Sequence, residues 1–170
     1  MIHQIEKLRQ DHAVEAFDCG NQGLNRFLRQ HAFHSQLSGG STTYVGLANQ
    51  AVIGYFTLAV GSVEYEKAPK RGTKGRARHP IPIMLLARLA VDLHWQKNGV
   101  GGGLLKNALL RTVQAADIAG IRALVAHAKD GHAKGFYEYF DCLPSPSDPL
   151  HRFIILKGAR KILSYKAGQG

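Results

Sequence analysis

Gln96, Gly99 and Gly101 are set Q-x-x-G-x-G, directly behind an apolar run from Met84 to Val91 and directly ahead of a helical pattern. Strand, glycine loop and helix together offer bare backbone N–H groups and a positive helix end to a phosphate. The glycines let the main chain come close and take positive φ. Two familiar phosphate loops do not fit. The dinucleotide fingerprint needs G-x-G-x-x-G, whereas Gly99, Gly101, Gly102 and Gly103 are followed by Leu104. The Walker loop needs Gly-Lys-Ser/Thr, which the chain lacks. A plain left-handed turn leading into a helix cap is the bland alternative. No nucleophile-His-Asp set is legible. His31 and His34 stand three apart on a helical stretch without a Cys or carboxylate partner set, so no metal site is expected. Candidate bases are Glu64 and Asp92 by position, with Asp92 better suited to shaping the loop. His94, His127 and His132 lie near the same stretches, where a lone histidine is more often structural or solvated.

The elements that must position these residues follow from periodicity. Ile2 to Leu8 reads as a first strand and Asp11 to Asp18 as a weak helix. Asn21 is set to cap the next helix, whose apolar stripe is Leu24, Phe27, Leu28, His31 and Ala32. Thr42–Ala48 and Val52–Val63 read as an antiparallel hairpin across the two-residue link Asn49-Gln50. Gly54 and Gly61 suggest bends within its second strand. Glu64 to Pro82 is a long basic loop. Ile83–Val91 is apolar on both faces except Arg88, as a central strand would be. Behind the glycine loop, Leu104, Leu105, Ala108, Leu109 and Val113 share one helix face, and the helix stops near Ala119-Gly120. Arg122–Ala128 is a buried strand, Gly131–Phe140 a short helix and Arg152–Leu156 a last strand. Gly158–Tyr165 reads as a short C-terminal helix. The order β-α-α-β-β-β-α-β-α-β predicts an α/β domain with a mixed, mostly antiparallel central sheet flanked by helices.

Composition bounds the function. The chain has 170 residues, which fits one domain, 1–165, with a frayed tail, 166–170. Net charge is +10, from 22 basic and 12 acidic residues, and favours a polyanionic partner. Lys67, Lys70, Arg71, Lys74, Arg76 and Arg78 crowd into the basic loop with His79. Lys70, Arg71, Lys74, Arg76, Arg78 and Arg88 are the candidate contacts to such a polyanion, whether nucleic acid, an anionic cofactor or an acidic protein tail. The N-terminal stretch has no signal-peptide pattern, and no apolar run reaches about 18 residues, so neither secretion nor a membrane span is expected. Two cysteines, Cys19 and Cys142, suit a reducing cytoplasm.

The loop spacing matches [R/Q]-x-x-G-x-[G/A], and with its strand and helix it resembles the pyrophosphate loop of the GNAT N-acetyltransferases. Asp130-Gly131-His132-Ala133-Lys134-Gly135-Phe136-Tyr137 resembles that family's N-x-x-A-x-x-x-Y segment, with Asp130 in the Asn position. Further motifs resemble one branch, the GNAT toxins of type II toxin–antitoxin systems. These are Phe17-Asp18-Cys19-Gly20 through Leu24-Asn25-Arg26-Phe27-Leu28, Gly54–Ala59, Leu86–Asp92, His127–Asp130 and Pro144–Pro149. The likeness covers roughly residues 3 to 162.

This resemblance implies acetyl-CoA as co-substrate and a GNAT fold. The pyrophosphate would lie over Gln96, Lys97, Asn98, Gly99, Val100, Gly101 and Gly102. The pantetheine amides would pair along Leu89, Ala90 and Val91 as an added strand does. Asp130, Ala133 and Phe136 would flank the cofactor. Tyr137 would act as general acid to the CoA thiolate, a phenol of ordinary pKa ~10 being protonated at neutral pH. The acceptor implied is the α-amine of aminoacyl-tRNA, whose blockage stops translation in the cytoplasm. The partners implied are a ribbon-helix-helix antitoxin, operator DNA reached only through that antitoxin in a repressor complex, and a second copy in a homodimer. An α-amine, with pKa about 7.7–8.0, can attack without a strong base, whereas a lysine near ~10.4 cannot. The lack of an obvious base therefore leans the same way. Acetylation of a protein N-terminus, lysine or small amine, a catalytically dead nucleic-acid-binding module and a CoA-binding structural protein are the rival readings.

Overall fold

The computed structural model describes residues 4–73, 79–157 and 159. Seven strands form a mixed sheet in the order β1-β2-β3-β4-β5-β7-β6, as expected of an α/β chain. The strands are β1 (Gln4–Lys7), β2 (Thr42–Ala48), β3 (Ala51–Val63), β4 (Ile81–Val91), β5 (Ala123–His127), β6 (Leu143–Pro144) and β7 (His151–Ile155). β4 and β5 pair in parallel, and β1–β2, β2–β3, β5–β7 and β6–β7 are antiparallel. The helices are α1 (Gln22–Arg26), α2 (Ala32–Leu37), α3 (Lys70–Thr73), α4 (Val100–Ala119) and α5 (Gly131–Tyr139). No helix among the described residues is long and apolar enough to cross a membrane.

The chain divides into two compact units, Met1–Ala59 with Ala87–Ala108, and Val60–Leu86 with Leu109–Gly170. In the first unit, β1–β2–β3 is a meander whose inner face carries Leu8, Val45, Leu47, Val52 and Tyr55, packed with Phe17, Phe27, Leu28 and Ala32. The link Asn49-Gln50 has positive φ at both residues, 50° and 67°, which the tight hairpin turn demands. The β2–β3 register slips between Gly46 and Leu47, so Ile53 bulges. A Cβ on Gly54 beside that bulge would stand 2.8 Å from Leu104 Cδ1 and 3.1 Å from the Ala90 carbonyl oxygen. Only glycine lets β3 come this close to β4 and the head of α4.

Two expectations in this unit need correction. Asp11–Asp18 is a run of turns, not a helix. Eight residues without a cap cannot sustain a helix alone. Here Phe17 is drawn into the core, its N–H bonded to the Val14 carbonyl, and the His12 N–H bonds the Arg9 carbonyl. The stripe Leu24, Phe27, Leu28, His31 and Ala32 faces the core except at His31, which is exposed. Phe27–His31 is a π-helical turn between α1 and α2, and the Ala32 N–H reaches back five residues to the Phe27 carbonyl. The extra residue turns His31 outward and Ala32 inward.

In the second unit, Ala68, Ile81, Ile83, Ala123, Val125 and Phe153 make the core. β5 is buried along Ala123–Ala126, and its end is exposed at His127. The basic segment expected as a loop carries a 3-10 turn at Tyr65–Lys67 and the short α3, with Lys74–Arg78 outside the described residues. β6, unpredicted from two residues containing a proline, pairs Leu143 with Phe153. The predicted C-terminal helix Gly158–Tyr165 lies outside the described residues except Ala159. The α4 face predicted from Leu104, Leu105, Ala108, Leu109 and Val113 is buried throughout. Each such leucine contributes about 1.5–3 kcal/mol. Gly120, at φ 69°, ends the helix in the left-handed position that glycine takes without penalty.

Candidate active site

The glycine loop sits at the head of α4. After β4 ends at Val91, Leu93–Trp95 forms one 3-10 turn, and Gln96 to Gly99 runs exposed into the helix. Lys97 and Gly99 both take positive φ, 65° and 80°, and a Cβ on Gly99 would meet nothing within 4 Å. The first intrahelical bond described here runs from the Gly103 N–H to the Gly99 carbonyl, 3.1 Å. The N–H groups of Val100, Gly101 and Gly102 precede it and have no carbonyl four residues back within the helix. They lie at the positive end of a 20-residue helix, with three glycines that put no side chain in the way. Backbone N–H groups alone line this helix end.

The loop is held by an N-terminal brace that the spacing did not reveal. Asp92 caps the 3-10 turn, its Oδ1 accepting from the His94 N–H at 2.9 Å, while its Oδ2 accepts from the Asp18 N–H at 3.2 Å. The Leu93 N–H returns a bond to the Asp18 carbonyl, 2.8 Å. Asn25, 1% exposed, accepts from the Cys19 N–H and donates to Asp18 Oδ1, both at 2.9 Å. The Gly20 N–H also donates to Asp18 Oδ1, and these two bonds, first the backbone one, hold that carboxyl below its ordinary range. Gln96 donates from Nε2 to the Cys19 carbonyl at 3.1 Å and the Val91 carbonyl at 2.9 Å. Its amide therefore ties the loop to the brace rather than pointing donors at a phosphate. Gly20, at φ 87°, would place a Cβ 3.1 Å from Leu93 Cδ2, so the Cys-Gly-Asn turn admits little else. Asn21 caps α1 as expected, accepting from the Leu24 N–H at 2.9 Å. Asp92 accepts from two backbone donors and lies 3.0 Å from the His94 ring, and so organises the turn.

The other sequence-predicted residues fall in several places. Leu89, Ala90 and Val91 lie past Leu86, the last β4 residue with a described β5 partner. Asp130 caps α5, its Oδ1 accepting from the Ala133 N–H at 2.9 Å. Ala133 and Phe136 are half-buried on that helix, and Tyr137 is buried. Phe136 meets Tyr137 edge-on, with centroids 5.1 Å apart. Burial first, then the neighbouring Cys142, pushes the Tyr137 hydroxyl up to about 12. Arg88 is half-buried, its guanidinium 3.6 Å from the centroid of the Phe27 ring. Lys70 and Arg71 are exposed on α3, and Lys74, Arg76 and Arg78 lie outside the described residues. Glu64 is exposed and 3.6 Å from Lys67.

Arg152 went unread in the sequence and holds the end of α5. It is 5% exposed and donates to the Cys142 carbonyl at 2.7 Å and the Pro149 carbonyl at 2.9 Å, with Glu138 at 3.8 Å. A charged residue at the start of the predicted strand Arg152–Leu156 was the signal available.

No family model matches the chain. A tRNA-acetylating toxin of Mycobacterium tuberculosis is 41% identical over 150 residues, covering 88% of this chain and 90% of that protein. AtaT complexed with acetyl-methionyl-tRNAfMet superposes with TM-score 0.87 at 28% identity, over 94% of this chain and 98% of that one. A Tyr-to-Phe variant of AtaT, bound to the C-terminus of the antitoxin AtaR and acetyl-CoA, superposes with TM-score 0.80 at 27% identity, over 95% and 97%. The chain belongs to the family of tRNA-acetylating toxins, and its α/β sheet is the GNAT fold of that family.

Proposed function

We propose that this protein transfers the acetyl group of acetyl-CoA to the α-amino group of aminoacyl-tRNA and so blocks translation. The observation that carries the reading is 41% identity, along nearly the whole chain, to a tRNA-acetylating toxin. The glycine loop supports it independently, since bare N–H groups at the head of a long helix suit the CoA pyrophosphate. Leu89–Val91, past the last β4 residue with a described β5 partner, suits the pantetheine amides.

The transfer needs few groups. The neutral α-amine attacks the thioester carbonyl carbon, the C–N bond forms, and the tetrahedral adduct expels sulfur as the C–S bond breaks. Tyr137 is the general acid of this reading. Its hydroxyl keeps its proton across the physiological range, because burial disfavours the phenolate. A phenol held near 12 is a weak acid beside a thiol of ordinary pKa ~8.5. Tyr137 therefore stabilises the leaving sulfur as a hydrogen-bond donor and relays to it the proton that the amine sheds. Net charge of +10 and the exposed Lys70 and Arg71 favour the tRNA backbone as partner. Arg88, Lys74, Arg76 and Arg78 complete the proposed RNA-contacting set. An antitoxin of ribbon-helix-helix type, operator DNA bound through it, a homodimer and a cytoplasmic site of action belong to the same reading.

The test is labelled acetyl-CoA offered with charged and with deacylated tRNA. Label should enter the charged tRNA alone, and be lost with the amino acid on mild alkaline deacylation. Equal labelling of both, or labelling of protein lysines instead, would overturn the reading.

A further inference from the structure

The geometry points to a divalent transition-metal site at His127, Asp148 and His151. His127 is remote in sequence from Asp148 and His151. Strand pairing brings them together. His127 is the last residue of β5 and His151 the first of β7, and they are direct cross-strand partners. Their rings meet edge-on with centroids 4.6 Å apart. Asp148 stands in the turn three residues before His151.

Asp148 is oriented for this task by the backbone. Its Oδ1 accepts from the Leu150 N–H at 2.9 Å, and its carbonyl accepts from the His151 N–H at 3.1 Å. With Oδ1 occupied, Oδ2 faces both imidazoles, 3.7 Å from His127 Nε2 and 4.0 Å from His151 Nδ1. One donor atom from each residue thus lies within 4.8 Å of the others. Around a tetrahedral ion with bonds of about 2.0–2.1 Å, donors stand about 3.4 Å apart. The observed triangle closes onto such an ion by side-chain rotations of an ångström or so, with no change in strand register. The Ala128 N–H bond to the Leu150 carbonyl, 2.7 Å, fixes the backbone on both sides.

Two imidazoles and one carboxylate are a borderline donor set, suited to Zn²⁺ and its neighbours rather than to Mg²⁺ or Ca²⁺, which prefer all-oxygen cages. All three side chains remain partly exposed, so the ion would keep a fourth position open to water or to a partner's donor. Bound there, it would clip the 144–150 turn to the end of β5, the strand that leads directly into the helix of Tyr137. This inference does not depend on the proposed acetyl transfer.

The test uses Co²⁺ as a visible stand-in for Zn²⁺ on the full chain. One equivalent should give the intense absorption bands of a four-coordinate cobalt site, displaced by Zn²⁺, and Zn²⁺ should raise the melting temperature by mass action. His127→Gln and His151→Gln should each weaken binding at least about tenfold, and Asp148→Asn should do so while keeping the Leu150 bond. Absence of the bands in the unsubstituted protein overturns the site, whatever the variants do. Binding that survives both histidine substitutions unchanged places the ion elsewhere and overturns it equally.

Discussion

The glycine loop and helix α5 carry the two halves of one proposed reaction, and they are built in opposite ways. The loop offers backbone N–H groups, with the Gln96 amide turned back onto the Cys19 and Val91 carbonyls. It keeps its shape through hydrogen bonds made and accepted by Asp18, Asn25, Asp92 and Gln96, residues that need touch no ligand. α5 has one residue with chemistry, Tyr137, set among Phe136, Phe140 and Cys142, and closed off by one buried arginine. A phosphate is held by fixed N–H groups, so rigidity matters most at the loop. A leaving thiolate needs a retained proton, so a dry surrounding matters most at α5. Substitutions should separate the two: brace variants should lose binding and stability together, and α5 variants should lose turnover alone.

The largest expected effect is at Tyr137→Phe. Turnover should fall by roughly 10²–10⁴-fold, the range for one positioned acid, while acetyl-CoA affinity and melting temperature hold. Loss of affinity along with rate would break the division, because the ring and not the hydroxyl would then matter. Asn25→Ala comes next. It orphans the Cys19 N–H and frees Asp18 inside the brace, and should cost about 2 kcal/mol in urea unfolding and weaken acetyl-CoA binding as well. Stability lost with affinity intact would mean that the loop stands without its brace. Gln96→Ala should lower acetyl-CoA affinity by about fivefold, the worth of roughly one net hydrogen bond, with little change in turnover at saturation. A fall in turnover at saturation would instead give Gln96 a part in the chemistry. The smallest effect is chemical. Iodoacetamide should alkylate half-exposed Cys19 in the folded protein and spare Cys142, whose thiol burial pushes up to about 12. Labelling of Cys142 under native conditions would show that the surroundings of Tyr137 are wet.

The sequence carried the loop because its signal is local. Three residue types at fixed spacing, a strand before and a helix after, all sit within about twenty positions. The long α4 and the hairpin at Asn49-Gln50 were legible for the same reason. The brace was visible only as a family signature, since Asp18, held by Asn25, meets Asp92 across a sequence separation of 74 residues. Arg152 and the His127–Asp148–His151 set were hidden because strand pairing, not periodicity, makes them neighbours. Asp11–Asp18 was misread because its few apolar residues suited a helix while tertiary burial of Phe17 decided the outcome.

The π-helical turn at Phe27–His31 gives the segment Gln22–Leu37 two independent phases. Ahead of it the Leu24 carbonyl receives the Tyr55 hydroxyl, and at its first residue Phe27 lies under Arg88. Behind it, Gln36 bridges β1 and β2, donating to the Leu8 carbonyl and accepting from the Thr43 N–H. A regular α-helix of the same length would turn one of these faces away by about 100°. The inserted residue thus works as an angular spacer. One continuous helix serves two clients that a uniform pitch would set against each other, and a one-residue deletion there would have to sacrifice one of them.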